Sequence, residues 1–250
     1  MIRSDSIAAV ILAAGKGTRM GSGEAKVLVP LAGRPLIDHV LDTVLSLGPD
    51  RVLVVVGHRH RQVRAALDGR GVEFVLQEPQ NGTGHALQCA APALEGFGGT
   101  VVVLAGDAPL LRRGTLTGLL ERHRETGAVV TVLTAVVPDP DNYGRVLRNA
   151  DKRVTAIVED SDCPPEQRAV SEVNSSIYAF DYPFLADALP RLSADNRQGE
   201  LYLTDTVETA VAEGKRVEAF RAEDYREVLG VNTPAQLEAA AQVLQEWDRG

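Results

Sequence analysis

Short apolar runs separated by longer amphipathic stretches set the rhythm of the first half of the chain. Ala8 to Leu12, Val52 to Val56, Val72 to Leu76 and Val101 to Leu104 are strand-length runs, and helix-like segments begin between or after them near Pro35, His60, Gly84 and Arg113. Apolar residues with little polar alternation suit strands covered on both faces. Strand-helix alternation therefore predicts an α/β fold, a mostly parallel sheet between helical layers. Ligands of such sheets bind beyond the carboxyl ends of the strands, so the loops after Leu12, Leu76 and Leu104 are expected on one rim.

After about Ala135 the pattern shortens, with strand candidates at Val146 to Leu147, Val154 to Val158, Val173 to Phe180 and Val217 to Phe220. These predict a smaller antiparallel lobe that closes over a second ligand. From Thr233, a cap followed by Pro234, a helix is expected with Leu237, Ala241, Leu244 and Trp247 along one face. Residues 1–232 are thus read as the main body, and 233–250 as a C-terminal helix docked on the same domain.

With 250 residues and 44% hydrophobic content the chain can bury one substantial core, and no proline-rich or charge-block linker divides it. The N-terminus has neither the uninterrupted apolar region nor the cleavage site of a signal peptide, and no apolar run is long enough to span a membrane. A soluble, cytoplasmic protein with no membrane partner is expected. The net charge of -8 argues against nucleic acid as a partner, because such binding rests on neutralising backbone phosphates. Cys89 and Cys163 show no metal-ligand spacing and no disulfide framework.

Against that acidic background the first rim loop stands out. From Ala8 to Leu28 an apolar strand runs straight into a loop holding Gly15, Gly17 and Gly21 with Lys16, Arg19 and Lys26. Glycines there let the backbone turn tightly and aim N–H groups at an anion, which makes this a phosphate loop by chemistry. It is neither a Walker A loop, which needs Lys-Ser or Lys-Thr after its last glycine, nor a dinucleotide loop, which needs a third glycine three residues after its second. Gln77 ends the third run and precedes the turn Asn81-Gly82-Thr83-Gly84-His85. A glutamine amide has donors and an acceptor, enough to read one edge of a base. Asp107 follows the fourth run, where a carboxylate suits a hard cation such as magnesium.

The segment A-A-G-x-G-x-R-M with a lysine a few residues later resembles the signature of the sugar-nucleotide pyrophosphorylases, which join a nucleoside triphosphate to a sugar 1-phosphate. L-Q-x-x-x-x-G-T-G-H-A, beginning at Leu76, is similar to the uridine-binding segment of the bacterial bifunctional N-acetylglucosamine-1-phosphate uridylyltransferases. The family order continues with Gly106-Asp107, Tyr143-Gly144-Arg145, Ile157-Val158-Glu159, Glu172-Val173-Asn174, Gln198 to Asp205 and Gly230-Val231-Asn232, so the resemblance spans nearly the whole chain. It implies a Rossmann-like fold with a smaller antiparallel sugar-binding lobe. The nucleotide would lie on Leu12, Ala13, Ala14, Gly15, Lys26, Gln77, Gly82 and Thr83, and the sugar phosphate on Gly144, Glu159, Asn174 and Asn232. Magnesium would be held by Asp107 and Asn232, with Arg19 and Lys26 as the catalytic cations and UTP and N-acetylglucosamine 1-phosphate as substrates. His85 is given no catalytic role.

Such a reaction needs no general base, because the phosphate oxygen of a sugar 1-phosphate is already an anionic nucleophile; positioning and charge stabilisation suffice. Two departures from the family pattern fall on the sugar side: Ala105 stands where the family has tyrosine, and Asn174-Ser175-Ser176 where it has Asn-Thr-Gly. These leave open transfer to another sugar 1-phosphate, or a non-catalytic nucleotide-sugar sensor. The bifunctional enzymes also continue into a β-helix of hexapeptide repeats that acetylates and trimerises. The sequence through Gly250 shows no such repeat, and a monomer or small homo-oligomer without those contacts is expected.

Overall fold

The strand that leads into the glycine-rich loop, β1 (Ile7–Ala13), lies inside the sheet with a parallel neighbour on each side. The computed structural model describes residues 6–17, 20 and 23–249. In chain order these form β1, the short pair β2 (Pro30–Leu31) and β3 (Arg34–Pro35), α1 (Leu36–Leu45), β4 (Arg51–Val56), α2 (His60–Ala66), β5 (Glu73–Leu76), α3 (Thr83–Ala90), β6 (Thr100–Ala105) and α4 (Arg113–Thr126). There follow β7 (Val130–Val136), β8 (Arg145–Arg148), β9 (Val154–Val158), β10 (Glu172–Asp181), α5 (Tyr182–Ala188), α6 (Asp205–Ala212), β11 (Val217–Arg221) and α7 (Pro234–Trp247).

The main sheet runs β11-β7-β10-β6-β1-β4-β5, and β10 alone opposes its neighbours in that path. Alternate residues of the central strands face opposite layers, as the two-residue strand period requires. Ala9, Ile11, Val54 and Val102 pack with residues of α1, α2 and α4; Ala8, Val10, Leu53 and Val101 pack with α3, α5 and α6. Both faces are covered, hence the continuous apolar runs. Truncating a central residue such as Leu53, fully buried, to alanine would cost about 2–5 kcal/mol.

The smaller antiparallel lobe is continuous with this sheet: the β8–β9 hairpin attaches to β10 through Arg145 and Val173. The apolar pattern did not reveal β7, because its run is interrupted by Thr131 and Thr134 at fully buried positions. Both hydroxyls are satisfied, Thr131 by His123 Nδ1 at 2.9 Å and Thr134 by Glu172 Oε1 at 2.9 Å, so threonine serves as a core residue here. Thr233 Oγ1 accepts from the Gln236 N–H, and Leu237, Ala241, Leu244 and Trp247 pack on a third cluster containing Val29, Leu31, Leu110 and Val231.

Register aligns the rim. Ala13 lies beside Val56, Val56 beside Leu76, and Leu12 beside Ala105, so the parallel strands deliver their carboxyl ends to one edge. Neighbouring strands lie about 4.8 Å apart. The loops after β1, β5 and β6 are thereby forced together.

Candidate active site

A cleft of about 660 Å³ opens at that rim. Leu12, Ala13, Ala14, Gly15, Lys16 and Gly17 line it from the first loop, with Lys26 behind them. Gln77, Gln80, Gly82 and Thr83 come from the loop after β5, and Ala105 and Asp107 from the end of β6. Every nucleotide-side residue named from the sequence is present here. Arg19, together with Gly21, lies outside the described residues. A slightly larger groove of about 730 Å³ between α4 and β11, lined by Glu121, Arg122, Phe220 and Arg221 among others, holds none of the motif residues.

At one end of the cleft three loops distant in sequence meet. Lys26 Nζ contacts the Asp107 carboxylate and lies 2.9 Å from Asn232 Oδ1. The Val231 N–H donates to the Asp107 carbonyl at 2.8 Å, which ties the segment before α7 to the end of β6. Gln236 Oε1 accepts from the Asn232 N–H at 2.8 Å, so the first turn of α7 holds the asparagine from the other side. A β-carbon at Gly230 would lie 3.3 Å from Asn232 Nδ2 and 3.5 Å from Asp107 Oδ2. The small residue keeps the two side chains adjacent.

These donors fit magnesium. Asp107 and Asn232 present hard oxygens that already converge on one cationic group, the Lys26 ammonium. Among the described residues no group of three or more His, Cys, Asp or Glu could hold a metal. Two protein oxygens plus substrate phosphates and water is a usual magnesium arrangement, and two oxygens are what this cluster offers.

A second cluster gathers the sugar-side residues. Gly144 is needed for close approach: a β-carbon there would lie 3.1 Å from Ile157 Cγ2, 3.4 Å from Glu159 Oε2 and 3.5 Å from Asn174 Cβ. The Asn174 N–H donates to the Gly144 carbonyl at 2.8 Å. Thr204 Oγ1 donates to Glu159 Oε1 at 3.1 Å. Burial pushes the Glu159 carboxyl above the usual range, opposed by that hydrogen bond and reinforced by Asp205, Asp162 and Asp160. The Asn174 side chain is buried and spent on its own surroundings. Its Nδ2 donates to the Tyr178 hydroxyl at 2.6 Å, and its Oδ1 accepts from the Ser176 N–H at 3.0 Å. Ser176 lines the cleft with φ 61°, a conformation glycine adopts freely. Holding a serine in this left-handed conformation costs about 1–2 kcal/mol.

Three features in and around the cleft were given no role of their own from the sequence, although Tyr143 and the segment from Gln198 belong to motifs quoted there. Tyr143 lies close enough to both Gly230 and Asp107 for its hydroxyl to be affected by them, and burial raises its pKa; its signal was its place in Tyr143-Gly144-Arg145. Gln80 sits on the wall, in a stretch with no pattern to mark it. The segment from Gln198 to Thr204 straps the two halves together. Gln198 and Glu200 line the cleft, Leu201 exchanges backbone hydrogen bonds with Asn81 and Gly84, and Thr204 reaches Glu159. Gly82, at φ 98°, is where the strap presses hardest: a β-carbon would lie 2.5 Å from the Leu201 carbonyl oxygen. His85, given no catalytic role from the sequence, stands beside Gln77.

Comparison with known proteins settles the family. The model of the MobA-like NTP transferase domain matches residues 9–157, which hold most of β1, all of β2 through β8 and most of β9. The chain belongs to the MobA-like NTP transferase family. The resemblance carried by the glycine loop is therefore correct at family level. Among full-length relatives, the chain is 52% identical over 242 residues to the bifunctional protein GlmU of Pelobacter propionicus, covering 96% of this chain and 53% of that protein. It is 50% identical over 251 residues to the bifunctional protein GlmU of Corynebacterium efficiens, covering 98% and 52%. A Synechococcus GlmU is 49% identical over 241 residues, covering 96% and 53%. The chain spans about half the length of the curated relatives it matches. Among the described residues of this NTP transferase domain, no helix is long and apolar enough to cross a membrane.

Proposed function

We propose that the chain transfers the uridylyl group of UTP to N-acetylglucosamine 1-phosphate, forming UDP-N-acetylglucosamine and pyrophosphate. The observation that carries this reading is the meeting of Lys26, Asp107 and Asn232 at the end of a cleft whose other wall presents Gln77 and Gly82. The GlmU relatives lead in the same direction. A phosphate oxygen of the sugar phosphate attacks the α-phosphorus in line, a P–O bond forms, the bond to the β-phosphate oxygen breaks, and pyrophosphate leaves.

In this reading the backbone from Leu12 to Gly15 cradles the triphosphate and Gln77 with Gly82 reads the base. Lys26, with Arg19, offsets charge on the phosphates. A magnesium ion held by Asp107 and Asn232 supplies further neutralisation of the phosphate charge. Gly144 and Glu159 receive the sugar, and Asn174 shapes the loop that carries Ser176 into the cleft. Residues 1–232 constitute the transferase body and the helix from 233 secures Asn232.

Pyrophosphate release, measured with each of the four nucleoside triphosphates against a panel of sugar 1-phosphates, tests the proposal. UTP with N-acetylglucosamine 1-phosphate should give the highest kcat/KM, and Gln77→Ala should narrow the preference for UTP. A purine nucleotide in first place would overturn the base assignment, and release with none of the pairs would overturn the transfer itself.

A further inference from the structure

Base reading in the cleft rests on one side-chain amide, and the fold gives that amide two holders. Gln77 is 3% exposed, and its Nε2 lies 2.9 Å from the Gly82 carbonyl oxygen and 3.3 Å from His85 Nδ1. A carbonyl oxygen only accepts, so the Gly82 contact fixes which end of the amide is the NH2 group. Its second N–H then meets an imidazole nitrogen. For that contact to be a hydrogen bond, Nδ1 must be the acceptor and the ring proton must sit on Nε2. On that side Cys89 Sγ, a weak acceptor, stands 3.6 Å away. His85 is in the first turn of α3 and Cys89 one turn later, so the helix itself sets the ring between the thiol and the amide.

We propose that His85 is a positioning residue for base selection. By accepting the second amide N–H it leaves the Gln77 carbonyl oxygen as the only group that side chain offers to the cleft. An acceptor in that place favours a base with an N–H on its pairing edge: uracil has that donor at N3, where cytosine has a lone pair. With His85 removed, the amide is held by Gly82 alone and can turn an N–H toward the base, so discrimination against cytosine falls. The proposal rests on the uridylyl-transfer reading and gives it a mechanism for excluding CTP.

The test compares kcat/KM for UTP and CTP, with N-acetylglucosamine 1-phosphate as acceptor, in the wild type and in His85→Leu, His85→Gln and His85→Asn. Asparagine carries an acceptor as many bonds from the backbone as Nδ1; glutamine carries its polar atoms one bond farther. The UTP/CTP ratio should fall about five- to tenfold in the leucine and glutamine variants, the effect of one lost hydrogen bond. It should stay within about twofold in His85→Asn, with KM for the sugar phosphate unchanged in all three. A UTP preference that survives His85→Leu, or that falls equally in the asparagine and leucine variants, overturns the role of His85 alone. A wild type that uses CTP as well as UTP overturns the uridylyl reading together with it. Should the leucine variant fail to fold, NMR of the Gln77 side-chain amide in the wild type decides: two hydrogen-bonded protons are expected, and one free proton contradicts the proposal.

Discussion

Lys26, Asp107 and Asn232 set a cation against two oxygens at the open rim of the parallel strands, whereas Gly144, Glu159 and Asn174 gather around a carboxyl that has no ion-pair partner among the described residues. The first cluster is built from loops far apart in sequence and held by charge. The second gathers residues on β10 and at the ends of β8 and β9, a set of hydrogen-bonded strands, and is held by neutral donors such as Thr204. On the proposed uridylyl-transfer reading, the two clusters would treat the two ends of the reaction differently. Charge compensation belongs where phosphates collide, and a desolvated acceptor belongs where hydroxyl groups must be recognised without attracting another cation.

Removing the anchor of the charged cluster should have the largest effect. Asp107→Ala is expected to lower turnover by about a hundred- to a thousandfold while leaving circular dichroism and the melting transition intact, since its side chain is not part of the core. Excess chelator should reduce the wild type comparably. Full turnover by the variant would remove Asp107 from the chemistry.

Changing the wall between the clusters should act more weakly. Ala105 lines the cleft at the end of β6, where the family pattern has an aromatic residue. Ala105→Tyr fills that space and should raise discrimination of N-acetylglucosamine 1-phosphate over glucose 1-phosphate about tenfold, read as the ratio of kcat/KM values. An unchanged ratio would mean that cleft volume at this wall does not select the sugar.

The smallest effect concerns stability at the edge of the neutral cluster. Burial, with Glu208 and Asp162 nearby, pushes the Asp205 carboxyl up from 3.8 to about 6. The folded state thus binds the proton more tightly than the unfolded chain, and stability is lost as pH rises from about 4 through about 6. Asp205→Asn should raise the melting temperature at pH 7 by no more than about 2 °C, because the site is half-exposed and screened. The difference should vanish below about pH 4, where the carboxyl is protonated in both states. A variant less stable than the wild type at pH 7 would show that the ionised carboxylate caps α6 productively.

Much of this contrast was legible in the chain, but unevenly. The rim was readable because buried parallel strands are apolar without interruption, so the boundaries of β1, β4 and β6 and the loops after them fall where the apolar runs stop. That Lys26 would reach Asp107 and Asn232 was not, since spacings of 81 and 206 residues carry no geometric signal; only the family order of the motifs linked them. On the other side, β7 stayed hidden behind its two buried threonines, and α5 and α6 lie in stretches whose period was not recognised. Asn174 was expected to face a ligand, yet its side-chain oxygen and nitrogen are engaged by Ser176 and Tyr178, a pairing that pattern does not encode. His85 looked like an ordinary helix-start residue until Gln77 was seen beside it.

The division of labour between the two clusters is tested most directly by steady-state kinetics of Asp107→Ala and Glu159→Gln side by side, with UTP saturating and N-acetylglucosamine 1-phosphate varied. Glu159→Gln retains an acceptor for Thr204 but weakens the one offered to sugar hydroxyls. It should raise KM for the sugar phosphate about tenfold with kcat within about twofold of wild type. Asp107→Ala should do the reverse, losing kcat with little change in that KM. If Glu159→Gln instead loses kcat at unchanged KM, or if both variants shift the same parameter, the two clusters do not divide the reaction between phosphate chemistry and sugar recognition.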